Sequence, residues 1–199
     1  PSAGTMAAYY PQERPLAMQL LGCDPQALIR AAHRCEELGA DIVKVEQAPG
    51  GDPTRYLPFS ADGRSAYFVQ QNRGKRSVCV DFSRPESSDV IRDLVTAADV
   101  VVENYGPGVL EKRGLDWDSL REINPRLIMA SVSGFGQTGV YRHRTCYDFI
   151  AQGMAGVMHM TGDPEGPPYF VGIGLGDTNA GVHAFAGIGY ALYQRDRTG

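Results

Sequence analysis

No apolar run in this chain approaches the roughly 20 residues that a membrane-spanning helix needs. The opening Pro1-Ser-Ala-Gly-Thr-Met-Ala-Ala8 lacks the basic start and apolar stretch of a secretory signal. Only four cysteines occur, Cys23, Cys35, Cys79 and Cys146, with no Cys-x-x-Cys pair among them. That spacing excludes both a zinc ribbon and a disulfide scaffold, and it fits a reducing, cytoplasmic setting. Positive charge is also short, with a formal net charge of -4 over 199 residues. Phosphate neutralisation along a nucleic acid needs a basic face, so no nucleic-acid partner is expected. The four histidines, His33, His143, His159 and His183, show no metal-ligand spacing, and no metal is expected. Helical packing is the expected role of His183. There is neither an internal repeat nor a low-complexity tract.

What is present is an alternation of apolar strands and amphipathic helices. Arg14–Leu21 reads as a short buried strand. Asp24-Pro25 opens a helix whose apolar positions run to Leu38, and Gly39 closes it. Strands are expected at Asp41–Glu46, Arg76–Asp81, Asp99–Glu103 and Arg126–Ser133, and helices at Asp89–Ala98, Leu115–Ile123 (capped by Asp116), Tyr147–Met160 and Ala180–Arg195. Loops rich in Gly, Pro and Asp fill Gln47–Arg64, Asn104–Gly108, Gly134–Gly139 and Gly172–Asp177. The fold class is therefore α/β, an open doubly wound, Rossmann-like, mostly parallel sheet. In such sheets ligands sit beyond the carboxyl ends of the strands, where the loops at Asn104 and Gly134 should lie. Asp177 precedes an apolar helix, and residue pattern alone makes it a helix N-cap. Pattern alone also reads Tyr147 as a buried aromatic at a helix start.

Several stretches, in this order, resemble the class III CoA-transferases, a family that includes formyl-CoA transferase, carnitine CoA-transferase and α-methylacyl-CoA racemase. They are Leu38-Gly-Ala-Asp-Ile-Val-Lys-Val-Glu46, Asn72-Arg-Gly-Lys-Arg-Ser77, Ala98-Asp-Val-Val-Val-Glu-Asn-Tyr-Gly-Pro-Gly108, Ile123-Asn-Pro-Arg-Leu-Ile128, Ser133-Gly-Phe-Gly-Gln-Thr-Gly139, Tyr147-Asp148 and Gly176-Asp-Thr-Asn-Ala-Gly181. Motifs gain weight from order and context. The resemblance covers residues 37–199 and implies a transferase that moves CoA between an acyl-CoA donor and a carboxylic-acid acceptor. It implies that Asp177 is the nucleophile, passing through an aspartyl–acyl anhydride and an aspartyl–CoA thioester. Amides near Asp177 would stabilise the oxyanion. The resemblance places Asn104, Tyr105, Lys112 and Val80 along coenzyme A, and Tyr147 beside the reacting centre; Arg113, expected as a coenzyme A contact beside Lys112, stands where the family commonly has an apolar residue. The racemase branch has a histidine at the position of Tyr147; tyrosine, with a pKa near ~10, is a poor base for α-proton abstraction.

Two departures stand out. Gln47 replaces an arginine common in the family, which would either weaken a phosphate contact or shift it to Arg55 or Arg73. Thr145 replaces a basic residue of formyl-CoA transferase, so acyl specificity is expected to differ from formyl and oxalyl. Residues 1–36 form an atypical strand–helix segment, and residues 13–42 resemble tRNA-dihydrouridine synthase, although no flavin is expected. The chain is expected to be the N-terminal part of a larger fold of interlocked homodimers. Its missing remainder, with a glycine-rich loop, would leave this piece inactive or nearly so. The remaining alternatives are a racemase-like enzyme, a flavin-dependent RNA-modifying enzyme and a CoA-binding remnant without turnover.

Overall fold

The structure, a computed structural model, describes residues 19–21 and 42–199. The chain divides into two compact units between Leu94 and Val95. The predicted helix from Asp24 to Leu38 lies outside the described residues.

The first unit is built on a three-stranded parallel sheet of β1 (Gln19–Leu21), β2 (Val43–Gln47) and β5 (Arg76–Val80), with β5 in the middle. Register pairs Leu20 with Val78 and Val45 with Val78. Every residue of β5 is buried, as expected of a strand hydrogen-bonded on both edges in a parallel sheet. Val78, Val80 and Val90 form the core, with Val45 packed against them. Val90 comes from α2 (Ser87–Ala97), which begins two residues earlier than its apolar stripe predicts. Between β2 and β5 lie two short antiparallel strands, β3 (Ser60–Ala61) and β4 (Arg64–Ser65), and the helix α1 (Ala66–Asn72). Ser65 caps α1 by accepting the Phe68 N–H. The sequence reading contains neither this hairpin nor this helix.

The second unit holds a parallel pair, β6 (Val100–Glu103) and β7 (Ile128–Ser131), in register Val100–Ile128 through Glu103–Ser131. The crossover between them contains α3 (Trp117–Ile123), capped as expected by Asp116, whose carboxylate accepts the Ser119 N–H at 3.1 Å. Leu120, Leu115 and Leu127 are buried beneath it. Asn124 ends the helix and donates its amide to the Val95 and Ala98 carbonyls.

Two further helices complete this unit. α4 (Asp148–Met154) is half as long as its apolar pattern suggests. Gly153 lies in its last turn and Gly156 takes a left-handed φ of 77°, which stops the helix at low cost. α5 (Leu175–Thr198) runs for 24 residues and starts five residues earlier than predicted. None of its residues is buried, and Val182, Phe185, Tyr190 and Tyr193 are exposed. Arg195, near its end, pairs with Asp99 at 2.8 Å and donates to the Arg126 carbonyl. No helix among the described residues is long and apolar enough to cross a membrane.

Candidate active site

Beyond the carboxyl ends of β6 and β7 lies a shallow cavity of about 160 Å³. Gly106–Gly108 line it from the turn after β6, and Gln137 lines it from the glycine loop after β7. The two loops therefore meet where parallel-sheet topology predicts. Glu103, Glu111 and Asp116 also line this hollow, and no lysine or arginine among the described residues does. An acidic wall repels phosphate, so the cavity itself is no phosphate cradle.

Asn104 and Tyr105 follow directly and are exposed, with the Tyr105 N–H held by the Glu103 carboxylate at 2.7 Å. Lys112 and Arg113 lie in the short 3-10 helix Glu111–Arg113; Lys112 is exposed and Arg113 half-buried. Val80 belongs to the first unit, 2% exposed within the sheet core. Its carbonyl accepts the Ala48 N–H at 2.9 Å.

Asp177 is exposed in the first turn of α5, and its carboxylate has no hydrogen-bond partner among the described residues. It is not the cap of that helix. The N-cap position is Gly174, which has no side-chain cap bond. The capping acceptor arrives from 28 residues upstream: buried Asp148 takes the Gly176 N–H at 2.6 Å and the Asp177 N–H at 3.3 Å through Oδ1. A carboxylate at a helix N-terminus satisfies orphan donors and complements the helix dipole. The N-cap reading of Asp177 is thus replaced by a cap supplied from α4.

Buried Gln152 completes the arrangement. Its Nε2 donates to Asp148 Oδ2 at 2.6 Å and to the Ile173 carbonyl at 2.9 Å, and its Oε1 accepts the Val171 N–H at 3.2 Å. The first turn of α5 is pressed close to α4. A Cβ at Gly176 would lie 3.0 Å from the Ala151 Cβ and 3.1 Å from Asp148 Oδ1. The glycine loop after β7 passes closer still to the segment ahead of α4, since a Cβ at Gly134 would fall 1.9 Å from that of Cys146.

Three expectations change here. The first-turn amides of α5 are already committed: those of Gly176 and Asp177 to Asp148, and that of Thr178 to the Gly174 carbonyl. They are not available to an oxyanion. Tyr147 precedes Asp148 at the α4 N-terminus and is 83% exposed with no side-chain cap bond, so it is not a buried packing aromatic. His183 is exposed, and its Nδ1 lies 2.9 Å from the Asn179 carbonyl of its own helix, so it is not a buried packing residue.

Arg55 is equally committed. It binds the buried Glu46 carboxylate through two hydrogen bonds of 2.8 Å and lies 3.9 Å over the Phe68 ring. Glu46 also accepts from Ser77 Oγ and the Asp52 N–H. Burial alone would raise the Glu46 carboxyl pKa, but the Arg55, Ser77 and Asp52 hydrogen bonds outweigh it and hold the pKa below the usual value. Asp52 is lowered in the same way: burial opposes, while Lys44 at 2.6 Å and Thr54 prevail. Arg55 is therefore a structural partner of Glu46 and does not take over a phosphate contact from Gln47. Lys75 is pushed down from its usual value by burial and by the charge of Lys44.

Of the predicted residues, the fold thus joins Tyr147 to the Gly176–Asp177 mouth through Asp148. Sequence reasoning missed Gln152. Its signal was a lone polar residue four positions after Asp148 in an otherwise apolar helix, a spacing that puts both on one face.

The family described as CoA-transferase family III matches residues 31–199. Succinate–glutarate CoA-transferase of Agrobacterium fabrum is 45% identical over 176 residues, covering 85% of this chain and 44% of the relative. Formyl-CoA:oxalate CoA-transferase of Streptomyces avermitilis is 45% identical over 81% of this chain and 39% of its own length. Among solved structures, a CaiB/BaiF family protein from Brucella suis superposes with a TM-score of 0.75 at 41% identity, over 94% of this chain and 50% of that one. The chain spans less than half the length of these curated relatives. The match from residue 31 takes in residues 31–42 of the stretch likened to tRNA-dihydrouridine synthase, and that likeness is not borne out. This chain belongs to the class III CoA-transferase family.

Proposed function

We propose that the protein of which this chain forms part exchanges CoA between an acyl-CoA and a free carboxylic acid, with Asp177 as the covalent nucleophile. The observation that carries this reading is the division of labour at the α5 mouth. Asp148 takes over the capping that Asp177 would otherwise perform, and the Asp177 carboxylate is left unpaired at the surface.

The steps balance without any net proton. An Asp177 oxygen attacks the thioester carbonyl, the C–S bond breaks, and CoA leaves as thiolate. The thiolate attacks the aspartyl carbonyl of the anhydride and releases the donor acid, leaving an aspartyl–CoA thioester. The acceptor carboxylate then attacks that thioester, thiolate leaves again, and its attack on the acceptor carbonyl yields the new acyl-CoA and restores Asp177. Dividing one exchange into covalent steps lowers each barrier. Water must be kept from the anhydride, and the exposure of Asp177 in this half-length chain leaves that task to the remainder of a family-length chain. The apolar side chains of α5 offer a face for that remainder and for a second copy in a homodimer. Asn104, Tyr105 and Lys112 are all exposed, as contacts to coenzyme A require.

Treatment with an acyl-CoA followed by hydroxylamine should leave a hydroxamate on Asp177, located by mass spectrometry. Asp177→Asn should lose that adduct and at least about 10³-fold in kcat while still binding CoA. Undiminished exchange by Asp177→Asn would reject the mechanism. The relatives named for succinate–glutarate and formyl–oxalate exchange stand at the same 45% identity, so the acyl pair is to be found by assaying those acids against one another.

A further inference from the structure

We propose that Gln152 is a positioning residue for the nucleophile, acting through Asp148; this rests on the assignment of Asp177 above. Three observations carry it. Gln152 is 1% exposed, yet it is a polar side chain with both amide atoms used. Its three hydrogen bonds go to Asp148, Ile173 and Val171, so it touches the capping carboxylate and both sides of Gly172 at once. Asp148 in turn holds the amides of Gly176 and of Asp177 itself.

The amide polarity fixes the geometry. The Nε2 donor pins Asp148 Oδ2, which leaves Oδ1 aimed at the α5 mouth. The Oε1 acceptor pins the Val171 N–H and so the start of the glycine loop. A hydrocarbon of equal size would fill the space but leave Asp148 Oδ2, the Ile173 carbonyl and the Val171 N–H without the partners that Gln152 supplies. A carboxylate of equal size would face two acceptors, Asp148 Oδ2 and the Ile173 carbonyl, at distances now of 2.6 and 2.9 Å. Either change lets Asp148 turn away, and the first turn of α5 must then find another cap. The nearest acid is Asp177. In this arrangement Gln152 keeps the nucleophile from becoming its own helix cap.

The test uses protein of family length carrying Gln152→Glu or Gln152→Leu. In Gln152→Glu at neutral pH, acylation of Asp177 should slow by roughly 10- to 100-fold, the scale of a small misplacement of a reacting group. KM for acyl-CoA should stay within about threefold, because the substrate does not touch Gln152. The rate should recover toward pH 5, where a proton shared between the introduced carboxyl and Asp148 restores a donor. A residue that merely fills the core gives no such pH rescue. Independently of activity, hydrogen exchange at the Val171, Gly176 and Asp177 amides should quicken at neutral pH and slow again in acid. Wild-type acylation rates in both variants, or exchange unchanged from wild type, overturn the proposal. Failure of both variants to fold at any pH also overturns it, in favour of a plain core role. Absence of any Asp177 adduct in the unmodified protein would sink the functional reading, and the exchange measurement would then decide the clamp by itself.

Discussion

Among the described residues, each unit of this chain buries one carboxylate beside a loop, and the two are balanced in opposite ways. Glu46 is met by a full positive charge: Arg55 approaches both oxygens, Ser77 and the Asp52 amide take the remaining lone pairs, and Phe68 backs the guanidinium. That cluster is closed. Asp148 is met only by dipoles, two backbone amides and the Gln152 side chain. Its charge is stabilised by a helix terminus and not cancelled by a cation. The first arrangement locks a loop onto a sheet. The second holds a helix mouth open with a further acid exposed beside it. In this chain the buried ion pair serves architecture, and the dipole-held carboxylate lies where chemistry is proposed.

The contrast can be broken deliberately. The largest effect on stability is expected from Glu46→Gln, which leaves the Arg55 charge against a neutral partner and turns one accepting oxygen into an NH2, so that either Ser77 or the Asp52 amide loses its acceptor. A loss of roughly 3 kcal/mol should appear in urea melts, at the low end for breaking a buried pair because Arg55 keeps some solvent. Asp148→Asn should cost less, about 1–2 kcal/mol, since one oxygen still accepts the α5 amides while the new amide group faces the Gln152 donor. Its damage should fall on acylation instead, so the two variants should rank in opposite order by melting and by rate.

Acid sharpens the same point. Glu46 and Asp52 both have carboxyl pKa values lowered on folding, so each adds stability that is complete above its unfolded value near ~4. That contribution is lost as pH falls through the lower folded values. Melting temperature should therefore hold from pH 7 to about 5 and drop below about 4, and Glu46→Gln should flatten the drop. The smallest expected change is Asp116→Ala, which removes the α3 cap and should cost about 1 kcal/mol.

The sequence made some of this legible and hid the rest for physical reasons. Continuous apolar runs announced β5 and β6, and Asp116 announced the start of α3, because burial and capping are local signals. The fold class and the meeting of the loops after β6 and β7 followed from topology. Helix α1 was hidden because its one buried residue is Asn72 and its Tyr67 and Val69 face outward, so no apolar stripe marks it. The true start of α5 was hidden because its cap comes from Asp148, far back in the chain, and a glycine-rich stretch without a local cap reads as loop. Arg55 looked available because nothing in the linear order shows that Glu46 has claimed it. Asp177 was singled out as the proposed nucleophile by family likeness. That it need not cap its own helix became visible only in three dimensions.

The 24-residue helix α5 is fastened at two places. Asp148 grips its first turn, and Arg195 fixes its last turns to Asp99 and the Arg126 carbonyl, just ahead of β6 and β7. At 1.5 Å per residue these anchors stand roughly 30 Å apart along the axis. A rod pinned at both ends can neither slide by one residue nor turn by the 100° that such a slip entails without tearing out one anchor. The angular setting of Asp177 is therefore fixed in part by an arginine some five turns away, and loosening that far end would rotate the carboxylate off its bearing while leaving every residue around it unchanged.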